Sequence, residues 1–291
     1  MMIQKSFEDE SKGKLYVVPT PIGNLEDITF RALNILKKAD LIAAEDTRNT
    51  QKLLNHFDIH TSLLSYHEHN KREREESIVK KVREGQLVAL VSDAGMPAIS
   101  DPGHELVRAM TEADLSVIVL PGANAALCAL VGSGLPSDEF YFYGFLPRKK
   151  KDKKDELARL STIQATILVY ESPFRIKETL KMIEEYFGNR QVAIARELTK
   201  RFEEYIRGTV DELISWTEDH EMRGEFCLVI EGSSEINMGS EEIWWSNLSI
   251  IEHVLYYTEE QSLPSKEAIK KVATDRKLPK REVYQAYHID R

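Results

Sequence analysis

The chain has 291 residues, 42% of them hydrophobic and 30% charged, which suits one or two sizeable cores beneath a charged surface. This balance excludes a disordered chain, a fibrous repeat and a disulfide miniprotein, and no run approaches the roughly 18 apolar residues of a membrane span. The formal charge of −9 argues against a wholesale nucleic-acid coat and leaves local basic patches open. Cys128 and Cys227 both lie in apolar runs and read as core thiols in a reducing cytosol. Met1–Lys14 is too polar for a signal peptide, so a cytoplasmic location is expected.

Short apolar, β-branched runs recur with amphipathic stretches between them. They predict strands at Leu15–Val18, Leu41–Ala44, Leu63–Tyr66, Leu87–Ser92, Ser116–Leu120 and Phe140–Tyr143. A second set follows at Thr166–Tyr170, Val192–Ala195, Tyr205–Gly208 and Phe226–Ile230. The charged stretch Arg72–Glu84 reads as a helix stopped by Gly85. Ile176, Leu180, Ile183 and Phe187 share one helical face, and Gly188 supplies a left-handed stop. Alternation of strand and helix in the first half predicts right-handed crossovers and a mainly parallel sheet. Closer succession in the second half predicts a mixed sheet. The segment Gly144–Lys154, with six basic residues against one acidic, is expected to join two α/β units. It reads either as a solvated linker and helix start or as a phosphate-contacting loop.

A third unit is expected after Gly232. Ser233–Ser240 is polar and linker-like, and Trp244, Trp245, Leu248, Ile251 and Leu255 mark an apolar helical face. Ser265–Arg276 and Lys280–Tyr287 predict two more helices, broken by Pro279. From Gln261 to Arg291 the net charge is +4, against −13 for the remainder. Short basic helices at a chain end suit a helix-turn-helix-like module, while a Lys-rich helical brace is the plainer reading. The expected units are therefore 14–122, 123–232 and 240–291.

Four Pro- and Gly-rich loops follow predicted strands: Pro19–Asn24, Asp93–Gly103, Pro121–Ala126 and Glu171–Arg175. Loops at the carboxyl ends of parallel strands are where α/β proteins hold ligands. None of these loops is GxGxxG or GxxxxGK[ST], so neither a dinucleotide fingerprint nor a P-loop has support. Any one of them suits an ordinary tight turn; several together favour a shared cleft.

The blocks KLYVVPTPIGNLEDITFRAL (Lys14–Leu33), AEDTRNT (Ala44–Thr50), SYHEHN (Ser65–Asn70) and LVSDAGMPAISDPG (Leu90–Gly103) come in a telling order. LPGANA (Leu120–Ala125), FYGFLPR (Phe142–Arg148), VYESPFR (Val169–Arg175) and ARELTK (Ala195–Lys200) continue it. Together they resemble the ribosomal RNA small subunit methyltransferase I family of the tetrapyrrole methylase superfamily, from Lys14 to about Gly232. The resemblance implies two α/β domains with a cofactor cleft between them, plus a small C-terminal helix-turn-helix-like module. It also implies S-adenosylmethionine-dependent 2′-O-methylation of a cytidine in the decoding region of 16S rRNA, by a homodimer that meets the small ribosomal subunit and no membrane. Tetrapyrrole-modifying members carry a GxGPGD-like first loop. Here that loop reads PTPIGN, with Asn24 in place of the acid, which favours RNA over a porphyrinoid.

The same resemblance supplies site residues. Asp93, Ala94, Gly95, Met96 and Pro97 match the main cofactor loop; Ile22, Asn124 and Ala125 match further contacts; Tyr170, Ala195, Arg196 and Phe226 lie on segments that close over the adenine in relatives. A ribose hydroxyl is a poor nucleophile, so its proton must leave during or before attack. The base candidates are Glu45, Asp46, His67, Glu68 and Glu171, with Glu45 and Asp46 ranked first. Asp46 or Thr47 equally suits a helix cap. Arg48, His67, Arg148, Arg175, Arg196 and Lys200 are candidate RNA contacts. Alternation along a strand would put His67 and His69 on one face, but with no partnering Cys/His block no metal is expected.

Overall fold

In the computed structural model, residues 3–6, 13–234, 245, 248–276 and 278–288 are described. They fall into two compact units, Met1–Ser234 and Glu235–Arg291. The first unit carries two sheets. One is built from β1 (Lys14–Val17), β2 (Leu41–Ala44), β3 (Leu63–Ser65), β4 (Leu87–Val91) and β5 (Ser116–Val119), in the order β3-β2-β4-β1-β5. Every pairing in it is parallel. Its crossovers are α1 (Phe30–Lys38), α2 (Thr47–His56), α3 (Lys71–Arg83) and α4 (His104–Glu112). Side chains alternate along each strand, so both faces are buried. Ala89 and Val91 of β4 pack with Leu36 and Leu54 from α1 and α2. Val88 and Leu90 turn the other way, onto Ile78, Leu106 and Met110 from α3 and α4. Each such fully buried aliphatic side chain contributes about 1.5–3 kcal/mol.

The second sheet comprises β6 (Phe140–Phe145), β7 (Thr166–Glu171), β8 (Gln191–Arg196), β9 (Glu204–Thr209) and β10 (Phe226–Ile230), in the order β6-β7-β10-β8-β9. Only β6 and β7 pair in parallel; β10 runs antiparallel to β7 and β8, and β9 to β8. The mixed sheet read from closely spaced strands is therefore present. Phe226, Leu228 and Ile230 face α6 (Lys150–Leu160), α7 (Ile176–Phe187) and α8 (Val210–Asp219). Cys227 and Val229 face α5 (Ala125–Ser133). The predicted stops hold: Gly85 and Gly188 follow α3 and α7 with φ of 96° and 71°.

Three expectations need correction. Gly144–Lys154 is not a joint: Gly144 and Phe145 end β6 and Lys150 begins α6, so the segment lies wholly within the second sheet and its helices. Cys128 is exposed on α5, and only Cys227 is a core thiol. Period-3.6 spacing cannot by itself tell which face of an apolar helix has a neighbour. In the C-terminal unit, Trp245 and Leu248 precede the helix they were expected to join. Ser249 caps α9 (Ile250–Glu259) in a reciprocal capping box with Glu252, so helical geometry begins only there. Val254 and Tyr257 are its buried apolar residues, packing with Ile269 and Val272 of α10 (Ser265–Asp275) and Val283 of α11 (Lys280–His288), while Ile251 and Leu255 are half-buried. Trp244 and most of the Ser233–Ser240 linker lie outside the described residues. Among the described residues no helix is long and apolar enough to cross a membrane.

Candidate functional site

β1 and β4 are neighbours, yet the helices that follow them cover opposite faces of the sheet. That divergence opens a crevice at their carboxyl ends. PTPIGN leaves β1 there and DAGMPAISDPG leaves β4. The two loops are tied by a two-way backbone bridge, with Thr20 N–H to Gly95 O and Gly95 N–H to Thr20 O both at 2.9 Å. Gly95 sits at φ 79°, and Ala98 and Ser100 are also left-handed at 68° and 62°. Non-glycine residues held there cost about 1–3 kcal/mol each, a concentration of strain typical of ligand loops.

A cavity of about 450 Å³ opens at this point, walled on one side by Ile22, Asp93–Met96 and Asn124 and on the other by Tyr170, Ala195, Leu198 and Phe226. Its size suits a small organic ligand. The apolar wall is backed by the core beneath β8 and β10, and Tyr170 packs edge-on against Phe142 at 5.1 Å between centroids. Three carboxylates border the opposite side: Glu45 at the end of β2, Asp93 after β4, and Asp101 near the end of the same loop. Burial first, then the Asp93 charge, raises the Glu45 carboxyl above its ordinary value. Burial and the nearby Glu45 push Asp101 up to about 7.

Most of the expected cofactor positions meet at this cavity: Ile22, Asp93, Ala94, Gly95, Met96, Asn124, Ala125, Tyr170, Ala195 and Phe226. Asn124 also caps α5, its side chain accepting from Leu127 N–H at 3.0 Å. Two expected residues are elsewhere. Pro97 is buried outside the cavity wall, and Arg196 pairs with Glu204 at 2.8 Å. Of the two leading base candidates, Glu45 borders the cavity and Asp46 does not. Asp46 is the cap of α2, and hydrogen bonds from Arg48 hold its carboxyl down to about 2. Such an acid is a poor proton acceptor at neutral pH.

The expected RNA contacts are scattered. Arg48 is spent on Asp46 at 2.7 Å. Arg175 donates to the carbonyls of Leu146 and Pro147 and pairs with Glu171 at 3.1 Å. The Glu171 side chain is 0% exposed; it accepts from the Thr179 hydroxyl at 2.6 Å and lies 3.9 Å from buried Lys153. Glu171 is thus a structural hub rather than a free base, and Lys153 leaves the basic segment for the interior. Lys200 bridges Glu197 and Glu225 at 3.0 and 2.8 Å and covers Gly23, where an added Cβ would sit 2.3 Å from its Cγ. Arg148 is exposed at the start of the basic run. His67 and His69 lie in a turn beyond β3, with ring centroids 6.0 Å apart, so strand alternation does not apply. Glu68 sits between them and pairs with Lys71 at 2.8 Å.

Sequence reasoning missed Asp101, Ser100, Phe145, Leu198 and Cys227, which all border the cavity. The signal for Asp101 was available: it is the second acid of a Pro- and Gly-rich loop already marked as ligand-binding. Phe145 and Cys227 carried none, because their place depends on strand register. In the C-terminal unit, Lys266, Lys280, Arg281, Tyr284 and His288 border an open groove between α10 and α11.

An all-parallel sheet and a mixed sheet sharing one strand-end cavity define the tetrapyrrole methylase class, and residues 14–214 match the family model described as Tetrapyrrole (Corrin/Porphyrin) Methylases. Cobalt precorrin-4 methyltransferase, a cobalamin biosynthetic enzyme of solved structure, superposes with a TM-score of 0.58 at 19% identity, over 78% of this chain and 98% of that one. Uroporphyrin-III C-methyltransferase from Thermus thermophilus, solved with S-adenosylhomocysteine, gives 0.52 at 18% identity over 75% and 97%. The ribosomal RNA small subunit methyltransferase I of Bacillus subtilis (strain 168) is 55% identical over 98% of both chains. The chain belongs to the ribosomal RNA small subunit methyltransferase I family. It is an S-adenosylmethionine-dependent methyltransferase, and the cavity suits that molecule: small residues Ala94 and Gly95 in its lining, an aromatic and aliphatic wall, and carboxylates that favour a sulfonium cation.

Proposed function

We propose that this enzyme methylates the ribose 2′-oxygen of a cytidine in the decoding region of 16S rRNA, within the small ribosomal subunit. The observation that carries the reading is the full-length match to a small-subunit rRNA methyltransferase. When bound, S-adenosylmethionine supplies an electrophilic methyl group. The chain's own residues do the rest. The loops after β1, β4 and β5 hold the donor, the wall at Tyr170, Ala195 and Phe226 excludes water, and carboxylates at the cavity edge accept the ribose proton. Fixing nucleophile and methyl in line supplies much of the rate enhancement.

The units 14–122 and 123–232 act as the two walls of the cleft, and 240–291 as the module that contacts rRNA through the basic groove of α10 and α11. The groove's Lys266, Lys280 and Arg281 suit phosphates and its Tyr284 suits base stacking. We further infer a cytoplasmic homodimer. Leu127 and Val131 of the otherwise apolar α5 are 48% and 79% exposed, and such a face suits a second copy. Incubation with labelled S-adenosylmethionine and assembled subunits, naked 16S rRNA or a porphyrinoid tests the reading. Label on a cytidine 2′-oxygen is expected, and label on the porphyrinoid alone overturns it.

A further inference from the structure

We propose that Phe174 stacks on a base beside the target nucleotide while Arg148, Lys149 and Lys151 hold the flanking phosphates, an assignment that rests on the ribose-methylation reading. Phe174 belongs to the strand-end loop Glu171–Arg175, whose Ser172 and Pro173 line the cavity. One residue further on, Phe174 is 96% exposed.

The exposure is built in. Ser172–Arg175 is a tight turn, closed by the Arg175 N–H on the Ser172 carbonyl at 3.1 Å, and Pro173 fixes the backbone just before the ring. The Ile176 N–H donates to the same carbonyl at 3.1 Å, and the Ser172 N–H donates to Glu171 at 2.8 Å. Arg175 then reaches back to the carbonyls of Leu146 and Pro147 at 2.8 and 3.3 Å. That tie sets the turn beside the segment after β6, where Arg148, Lys149 and Lys151 are exposed. Among the described residues these three make no ion pair, whereas Lys150 and Lys154 pair with Glu178 and Glu185.

The neighbours of the ring select its partner. Burial of an aromatic ring stabilises a fold, so one held in water by a rigid turn contributes little to this one. A contact between two copies of the chain would enclose the three cations without counter-charges, which is costly. RNA offers a flat base and phosphates together. A ribose 2′-oxygen enters a strand-end crevice when its nucleotide leaves the helical stack, which uncovers the face of an adjacent base. Aromatic side chains take up such faces in single-stranded RNA, with cations along the backbone.

The test uses full-length enzyme and assembled small subunits. Phe174→Ala should weaken subunit binding about 5- to 150-fold and raise KM far more than it lowers kcat. Calorimetric affinity for S-adenosylmethionine and the melting temperature should hold, because so exposed a ring packs on little of the fold. Phe174→Trp should restore binding, and Phe174→Leu should not, since it keeps apolar bulk without a π face. The ring is neutral, so Phe174→Ala should leave the salt dependence of binding unchanged. Lys149→Ala and Lys151→Ala should each flatten its log–log slope by about 0.7. Wild-type affinity in Phe174→Ala, or full rescue by leucine, overturns the stacking role, and unchanged slopes in both lysine variants overturn the phosphate contacts. Sedimentation without RNA should be the same for wild type and Phe174→Ala; lost self-association would assign the ring to a contact between copies and overturn the proposal. A wild type that transfers no methyl to the subunit overturns the ribose-methylation reading. A wild type that does, matched by Phe174→Ala, overturns the stacking role alone.

Discussion

Replacing Gly95 with Val probes the cofactor loop most directly. At φ 79° an L-residue is held in the left-handed region, at about 1–2 kcal/mol and more when β-branched. The added Cβ would lie 3.3 Å from Ile22 Cγ2 and 3.8 Å from the Ala123 carbonyl, a tight approach but not an impossible one. The backbone cannot relax freely, because Gly95 exchanges both of its peptide groups with Thr20 at 2.9 Å. The total cost of about 2–3 kcal/mol is a fraction of the 5–15 kcal/mol by which domains are stable, so the variant should still fold cooperatively. Its two further methyls must occupy space beside the loop backbone, where Ala94 and Gly95 border the cavity. Loss of that close approach is expected to weaken S-adenosylmethionine at least about 100-fold, or about 2.7 kcal/mol. Gly95→Ala carries the strain without the extra methyls and should fall between. Thermal melting and calorimetric titration of the three proteins check this. Near-wild-type affinity in a cooperatively folded Val variant would refute the assignment of the loop.

Asp46→Asn keeps a capping oxygen and is expected to leave single-turnover methylation nearly unchanged, whereas a hundredfold loss would restore Asp46 as the base. The sign of its pH effect is also set: a carboxyl lowered from 3.8 to about 2 stabilises the fold above 3.8 and loses that contribution as pH falls through 2. Acid unfolding curves of wild type and Asp46→Asn should therefore converge at the acid end. Glu171→Gln leaves buried Lys153 and half-buried Arg175 without their counter-charge, and should cost about 3–5 kcal/mol in denaturant unfolding; less than about 1 kcal/mol would contradict its role as a hub. Ending the chain after Ser234 removes a unit that has its own core. Melting and cofactor affinity should hold while subunit binding weakens and its salt dependence flattens; an unchanged salt slope would rule out the basic groove as an RNA contact.

What the sequence determined by itself was the local and the periodic. The alternation that places Val88 and Leu90 on one face and Ala89 and Val91 on the other is written in β4. The stops at Gly85 and Gly188 follow from glycine's access to positive φ. The strand-end loops were legible because Gly and Pro mark where a backbone must turn, so many of the residues that line the cavity lie in segments the sequence had singled out. Tertiary structure alone decided which charges were free. Arg175 and Lys153 look like phosphate clamps in the sequence, but a fully buried Glu171, drawn from a different element, claims both. Asp46 and Asp101 are the same residue type in similar strand-end loops. Folding places Arg48 on one and burial with Glu45 around the other, separating their carboxyls to about 2 and about 7. Proton affinity depends on desolvation and on charges within a few ångströms; Arg48 reaches Asp46 from two residues along the chain, whereas folding alone brings Glu45 beside Asp101 from a distant segment.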